Sequence, residues 1–85
     1  MRWHTAPRMN ELYRAAKPET NLKALRTLAG LSQSELAAQA DVPVRTIKQY
    51  EQRQKDINKA QAVTLLRLAR TLNCKVEDLM EKVLL

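Results

Sequence analysis

Arg45, Thr46, Lys48, Gln49 and Gln52 are the residues best equipped for chemistry in this chain. They recur so that, on a helix, they share one side, while Val44, Ile47, Tyr50 and Glu51 share the other. A guanidinium, an ammonium, a hydroxyl and carboxamides on one rod form a row of hydrogen-bonding groups, without a nucleophile, base and orienter to activate one another. Ser32 is a conceivable nucleophile, but no suitable His stands with it, and a helix cap is the better reading. Cys74 has no second Cys, and the sole His, His4, lies in the first segment, so no metal-ligand cluster can be named. Cys74 fits the apolar pattern as a small buried hydrophobe. No catalytic residue, metal or cofactor is expected, and the row reads as a binding face.

Charge supports that direction. Fifteen Lys+Arg against nine Asp+Glu leave a formal charge of +6. Such a balance points to polyanionic partners, nucleic acid before an anionic membrane; the bland alternative is a merely basic surface. One Cys excludes an intrachain disulfide framework. MRWHTAPRMNELYR lacks the continuous apolar run of a secretory signal, and no apolar stretch reaches the ~18 residues of a membrane span. A cytoplasmic protein is the expectation.

The elements that must carry the row follow from local signals. Eighty-five residues suit one small domain, and Leu and Ala with a single Gly and no Phe favour helix. Residues 1–19 hold two prolines, the only Trp and the only His. They read as a basic arm, with a short helix possible from Glu11 to Lys17. Trp3 and His4 are candidates for stacking on a partner, though a loose tail is the simpler account.

From Thr20 the pattern is regular. Thr20 or Asn21 caps a helix to Ala29, with Leu22, Leu25, Leu28 and Ala29 as its apolar stripe. Gly30 is its left-handed stop. Ser32 with Glu35 makes a capping box for a second helix that buries Leu36, Ala37 and Ala40. Asp41 stands at a turn that asks for positive φ, and Pro43 suits the first position of a third helix. A charged connection, residues 53–57, follows. Asn58 with Gln61 repeats the capping-box spacing before a fourth helix through Ala62, Leu65, Leu66, Ala69 and Leu72, stopped at Asn73. Cys74, Val76, Leu79 and Met80 suggest a short fifth helix, and Val83-Leu84-Leu85 trail as core edge or dimer contact. The expected fold is all-α: a five-helix bundle with a helix-turn-helix over residues 20–85, preceded by the arm 1–19.

Two short helices joined by a tight turn, the second apolar inside and polar outside, make a helix-turn-helix. Ala37 and Ala40 let the helices cross closely, and Val42, Ile47 and Tyr50 anchor the second one. Its outer face then fits a major groove, which admits one helix.

At Gln33, Leu36, Ala37, Val42, Ile47, Tyr50 and Glu51 the sequence resembles the Xre-type, phage repressor and Cro-like helix-turn-helix regulators. LKALRTLAGLSQSELA and LLRLARTLNCKVEDL extend the resemblance over roughly residues 21–81. It implies sequence-specific binding of double-stranded operator DNA by a transcriptional regulator, a repressor acting as a homodimer. It further implies base-edge contacts from Val44, Arg45, Thr46, Lys48 and Gln49. Arg45 would grip guanine, Gln49 adenine, and Val44 a thymine methyl. Gln33 would hold a phosphate, with Ser32, Gln52, Arg53 and Lys55 as further phosphate contacts. Arg26 and Glu51 stand where family members place an ion pair. The chain departs from the family's pattern at Asp41, where Gly is common, after the third helix, where no Gly follows, and at Lys75, where Ser or Thr would cap. Two other roles remain open. One is an antitoxin that binds a toxin and silences its own operon; the other is an adaptor that keeps the fold without the DNA face.

Overall fold

A computed structural model describes residues 19–81. Glu11 to Lys17 and Val83 to Leu85, for which a helix and an apolar tail are expected, lie outside the described residues. Five α-helices follow one another: α1 (Asn21–Leu28), α2 (Gln33–Ala40), α3 (Val44–Glu51), α4 (Ala62–Leu72) and α5 (Val76–Leu79), with a 3-10 turn at Ile57–Lys59. No strand occurs among the described residues.

Each helix contributes one completely buried side chain to a common core: Leu22, Leu36, Ile47, Leu68 and Leu79. Truncating any of these to Ala is the costly kind of change, about 2–5 kcal/mol. Around them pack Ala37, Ala40, Val42, Tyr50, Ile57, Leu65, Ala69 and Leu72. The small residues Ala37 and Ala40 are buried, and α2 packs against both α3 and α4. Cys74 is half-buried and packs on the core, with its thiol pKa pushed up by burial and by the charge of Asp78.

The helix starts are set by side chains. Thr20 accepts from the Lys23 amide and caps α1. Ser32 Oγ accepts from the Glu35 amide while the Glu35 carboxylate accepts from the Ser32 amide, so α2 opens on a complete capping box. At α5, where Lys75 has no capping oxygen of its own, the Asp78 carboxylate accepts from the Lys75 amide and supplies half of such a box.

The helix stops share one device, a residue with positive φ that turns the chain and lets a following amide reach back. Gly30 (φ 74), Asp41 (φ 57), Arg53 (φ 59) and Asn73 (φ 53) serve α1 to α4 in turn. The amides of Leu31, Val42, Gln54 and Cys74 then close onto the carbonyls of Arg26, Ala37, Gln49 and Ala69. This is the Schellman pattern, which satisfies carbonyls that a helix end leaves orphaned. Asp41 is an imperfect choice, because left-handed φ strains any side chain and a carboxylate at a helix C-terminus opposes the helix dipole. Asp41→Gly is expected to raise stability by about 1 kcal/mol, a rise of roughly 4–8 °C in unfolding midpoint. A thermal melt that moves down would show that the aspartate makes a favourable contact outweighing both effects.

Five expectations are corrected. Asn58 does not cap α4. It sits in the 3-10 turn, where the Asp56 carboxylate accepts from its amide, and α4 starts at Ala62 after Gln61, which makes no side-chain cap. Asn58 instead bonds Glu81, just beyond α5: its Nδ2 donates to the Glu81 carbonyl at 2.6 Å and its Oδ1 accepts from the Glu81 amide at 2.8 Å. Pro43 is the residue before α3, not its first position. Leu28 and Ala29 leave the stripe of α1. Leu28 is 84% exposed because it lies about 120° around the axis from Leu22, and Ala29 is exposed beyond the last turn. In α4, Ala62 and Leu66 are exposed while Leu68 is fully buried, so the inward stripe runs Leu65, Leu68, Ala69, Leu72. The connection over residues 53–57 is not wholly polar either: Ile57 is buried and pins it to the core.

Candidate nucleic-acid interface

The row of hydrogen-bonding groups rides on α3, eight residues held from behind by Ile47, Tyr50 and Glu51. At about 100° per residue, Arg45, Gln49 and Gln52 fall opposite this buried side. Arg45, Lys48, Gln52 and Arg53 are exposed, and Thr46 and Gln49 are half-exposed. Val44 is half-buried and packs against the core, so less of it faces outward than of the polar residues. Pro43 precedes the helix without a side-chain cap, and no acidic residue stands in the first turn. The Thr46 amide closes onto the Pro43 carbonyl, and the Val44 and Arg45 amides have no side-chain cap.

Glu51 is the polar part of the inner side. Arg26 clasps it with two bonds, Nε to Oε2 at 2.7 Å and Nη2 to Oε1 at 3.0 Å. The side chains are only 13% and 3% exposed, and Arg26 Nη1 donates to the Leu31 carbonyl at 2.8 Å. Bonding to Glu51 raises the guanidinium pKa above its already high value. The pair joins α1 to α3 in the arrangement that the sequence resemblance implies.

Gln33, the first residue of α2, reaches the same carboxylate, with Nε2 donating to Glu51 Oε1 at 3.0 Å. It therefore flanks α3 on the side where Lys48 also lies. Ser32 has both its amide and its hydroxyl oxygen engaged in the capping box. The two bonds with Ser32, that to its backbone first, hold the exposed Glu35 carboxyl below the usual carboxylate range. A folded-state pKa below the unfolded value gives stability that is present above about pH 4.3 and is lost as pH falls through the folded value. Acid unfolding is accordingly expected to be shallower in Glu35→Gln than in the parent below that pH; parallel curves would show that the box contributes nothing titratable.

On the opposite flank an open groove runs between α3, the 3-10 turn and the start of α4. Thr46, Tyr50, Lys55, Asp56, Lys59, Ala60, Gln61 and Thr64 line it. Two ammonium groups, three hydroxyls and the uncapped end of α4 meet there beside one carboxylate, that of Asp56, a balance that favours an anion. Lys59, Gln61 and Thr64 were missing from the sequence-predicted set. A cap at Asn58 would put Lys59 and Gln61 inside a helix, whereas Thr64 lies in α4 either way and reaches the groove only through packing. The signal available was Lys55 and Lys59 bracketing the connection. Among the described residues no group of three or more His, Cys, Asp or Glu is placed to hold a metal ion. Nor is any helix there long and apolar enough to cross a membrane.

A helix-turn-helix thus occupies residues 33–51, braced by α1 and α4, on which α5 packs in turn. The family described as Helix-turn-helix matches residues 22–79, which is more than half of the chain. The chain belongs to the Xre/Cro-like helix-turn-helix family. No curated protein and no solved structure gives a significant match. Helix-turn-helix proteins of this family are DNA-binding transcription regulators, and α2 and α3 are the first and second helices of the motif. The helix-turn-helix match begins at Leu22, the α1 core residue, and ends at Leu79, the α5 core residue. The family unit therefore coincides with the described core.

Proposed function

We propose that the chain is a sequence-specific repressor that binds operator DNA as a homodimer, with residues 20–85 as the reading unit and the basic segment 1–19 as an arm. The observation that carries the reading is the two-sided character of α3: an inner side fixed by Ile47, Tyr50 and the Arg26–Glu51 pair, and an outer side of exposed polar groups. In this reading Arg45, Thr46, Lys48 and Gln49 meet base edges, and Val44 offers its outward part to a thymine methyl. Ser32 and Gln33 on one flank contact a phosphate. Gln52, Arg53 and Lys55, with Lys59 of the groove, contact phosphates beyond the other. The two flanks match the two phosphate ridges that border a major groove.

The dimer follows from reach. An eight-residue helix is roughly 12 Å long, enough for only a few base pairs. A site that short recurs too often to direct regulation, and a second copy on an adjacent turn doubles the sequence read. Steric occlusion of the polymerase then needs no further domain.

Selection of bound fragments from random duplex DNA tests the reading. The expected outcome is an enriched pair of inverted half-sites, centres about 10 base pairs apart or a multiple of that. Failure to enrich any sequence, even at low salt, would discard the repressor and favour an adaptor that keeps only the fold.

A further inference from the structure

We propose that Glu51 is a positioning residue for the phosphate contact of Gln33: it accepts one of the two Nε2 hydrogens and leaves the other for a phosphate oxygen. The inference rests on the reading of α3 as the DNA-inserting helix.

A carboxamide has two ends of nearly equal shape and opposite hydrogen-bonding sense. On an open surface it rotates, and half of its orientations turn the carbonyl toward an approaching anion. Gln33 is half-buried and does not stand alone: Nε2 lies 3.0 Å from Glu51 Oε1. An ionised carboxylate only accepts, so it selects the nitrogen end and holds it. Glu51 is in turn immobilised by both bonds from Arg26, and Arg26 by the Leu31 carbonyl. The guanidinium offsets the carboxylate charge, so a phosphate arriving at Gln33 meets a neutral pair and not an anion. An ordered series of contacts therefore runs from α1 through the end of α3 to the first residue of α2. The same carboxylate that clamps the recognition helix also orients a group on its flank. Seating of the helix and presentation of the phosphate donor then become one event.

The test uses the whole chain. In the free wild-type protein, nitrogen-proton spectra are expected to show the two Gln33 Nε2 protons well separated, one of them bound to Glu51. Adding a selected duplex is expected to shift chiefly the other proton, and a neutral methylphosphonate at the contacted phosphate to abolish that shift. Gln33→Ala and Glu51→Gln, compared at a temperature where circular dichroism shows both folded, are each expected to weaken binding about tenfold. The double variant is expected to be no weaker than either single one. A purely structural Glu51 would give losses that multiply. That result, or coincident Nε2 protons in the free protein, overturns the positioning role. If Glu51→Gln does not fold, the wild-type spectra decide alone. A wild-type protein that binds no duplex would overturn the DNA reading itself, a different failure from independent effects in a protein that does bind.

Discussion

Arg26→Ala is expected to cost about 3 kcal/mol or more of folding stability, a fall of at least roughly 12 °C in unfolding midpoint. The size comes from what stays behind. Glu51 has a side chain 3% exposed, and loses both guanidinium bonds while keeping its charge and one bond from Gln33. An uncompensated charge in such a place is far more expensive than the intact pair is favourable. The Leu31 carbonyl loses its partner as well. A domain this small has a margin of only several kcal/mol, so one such loss consumes much of it. The double variant Arg26→Met, Glu51→Met separates charge stranding from lost packing. It removes both charges together and is expected to recover at least half of the deficit. A melt of Arg26→Ala within 3 °C of the parent would mean that Ile47 and Tyr50 hold α3 without the pair.

The second large effect lies on the outer side of α3. Arg45→Ala with Lys48→Ala is expected to weaken specific DNA binding at least about 100-fold at moderate salt, with the unfolding midpoint nearly unchanged. Both side chains are exposed, so their removal leaves the core alone. The two are expected to fail differently. Loss of a two-pronged base contact from Arg45 costs about 1–3 kcal/mol and flattens preference at one position of the site, whatever the salt. Lysines on phosphates act otherwise: Lys55→Gln with Lys59→Gln is expected to weaken binding to all sequences alike, lowering the slope of log affinity against log salt by roughly 1.8. Titrations at several salt concentrations, on selected and scrambled duplexes, separate the classes. A loss below threefold in the Arg45, Lys48 variant, with sequence preference retained, would move the DNA face away from α3.

The two predictions probe opposite sides of one eight-residue helix, and both depend on its being rigid. Three fixtures give that rigidity. Ile47 fills the core, Arg26 clasps Glu51, and positive φ at Arg53 ends the helix so that Ile57 can be buried shortly after. The turn after α3 is held from a distance by Asn58, which bonds both backbone groups of Glu81. Asn21 also reaches this junction, its amide donating to the Glu81 carboxylate and its Nδ2 to the Met80 carbonyl. The start of α1, the turn carrying Lys55 and Lys59, and the end of the described chain meet in one polar knot.

Sequence alone determined the features that act within about five residues. Thr20 and Ser32 as caps, the Ser32–Glu35 box, the left-handed stops at Gly30, Asp41 and Asn73, and the inward run Leu36, Ala37, Ala40 all depend on neighbours one turn away, so they can be read before any packing is known. The helix-turn-helix itself was legible because its two helices and their turn are contiguous. Tertiary structure decided everything that depends on what lies across the core. Leu28 and Leu66 look like core residues by type, yet among the described residues no element covers their side of α1 or α4. Asn58 has the spacing of a cap, but its side-chain carboxamide finds Glu81, 23 residues on, and the helix starts later. Gln33 lies 18 residues from Glu51 in the chain. Its orientation, and with it the donor it presents, exists only once α2 and α3 are packed, because a hydrogen bond between distant residues needs the whole fold to bring its partners within 3 Å.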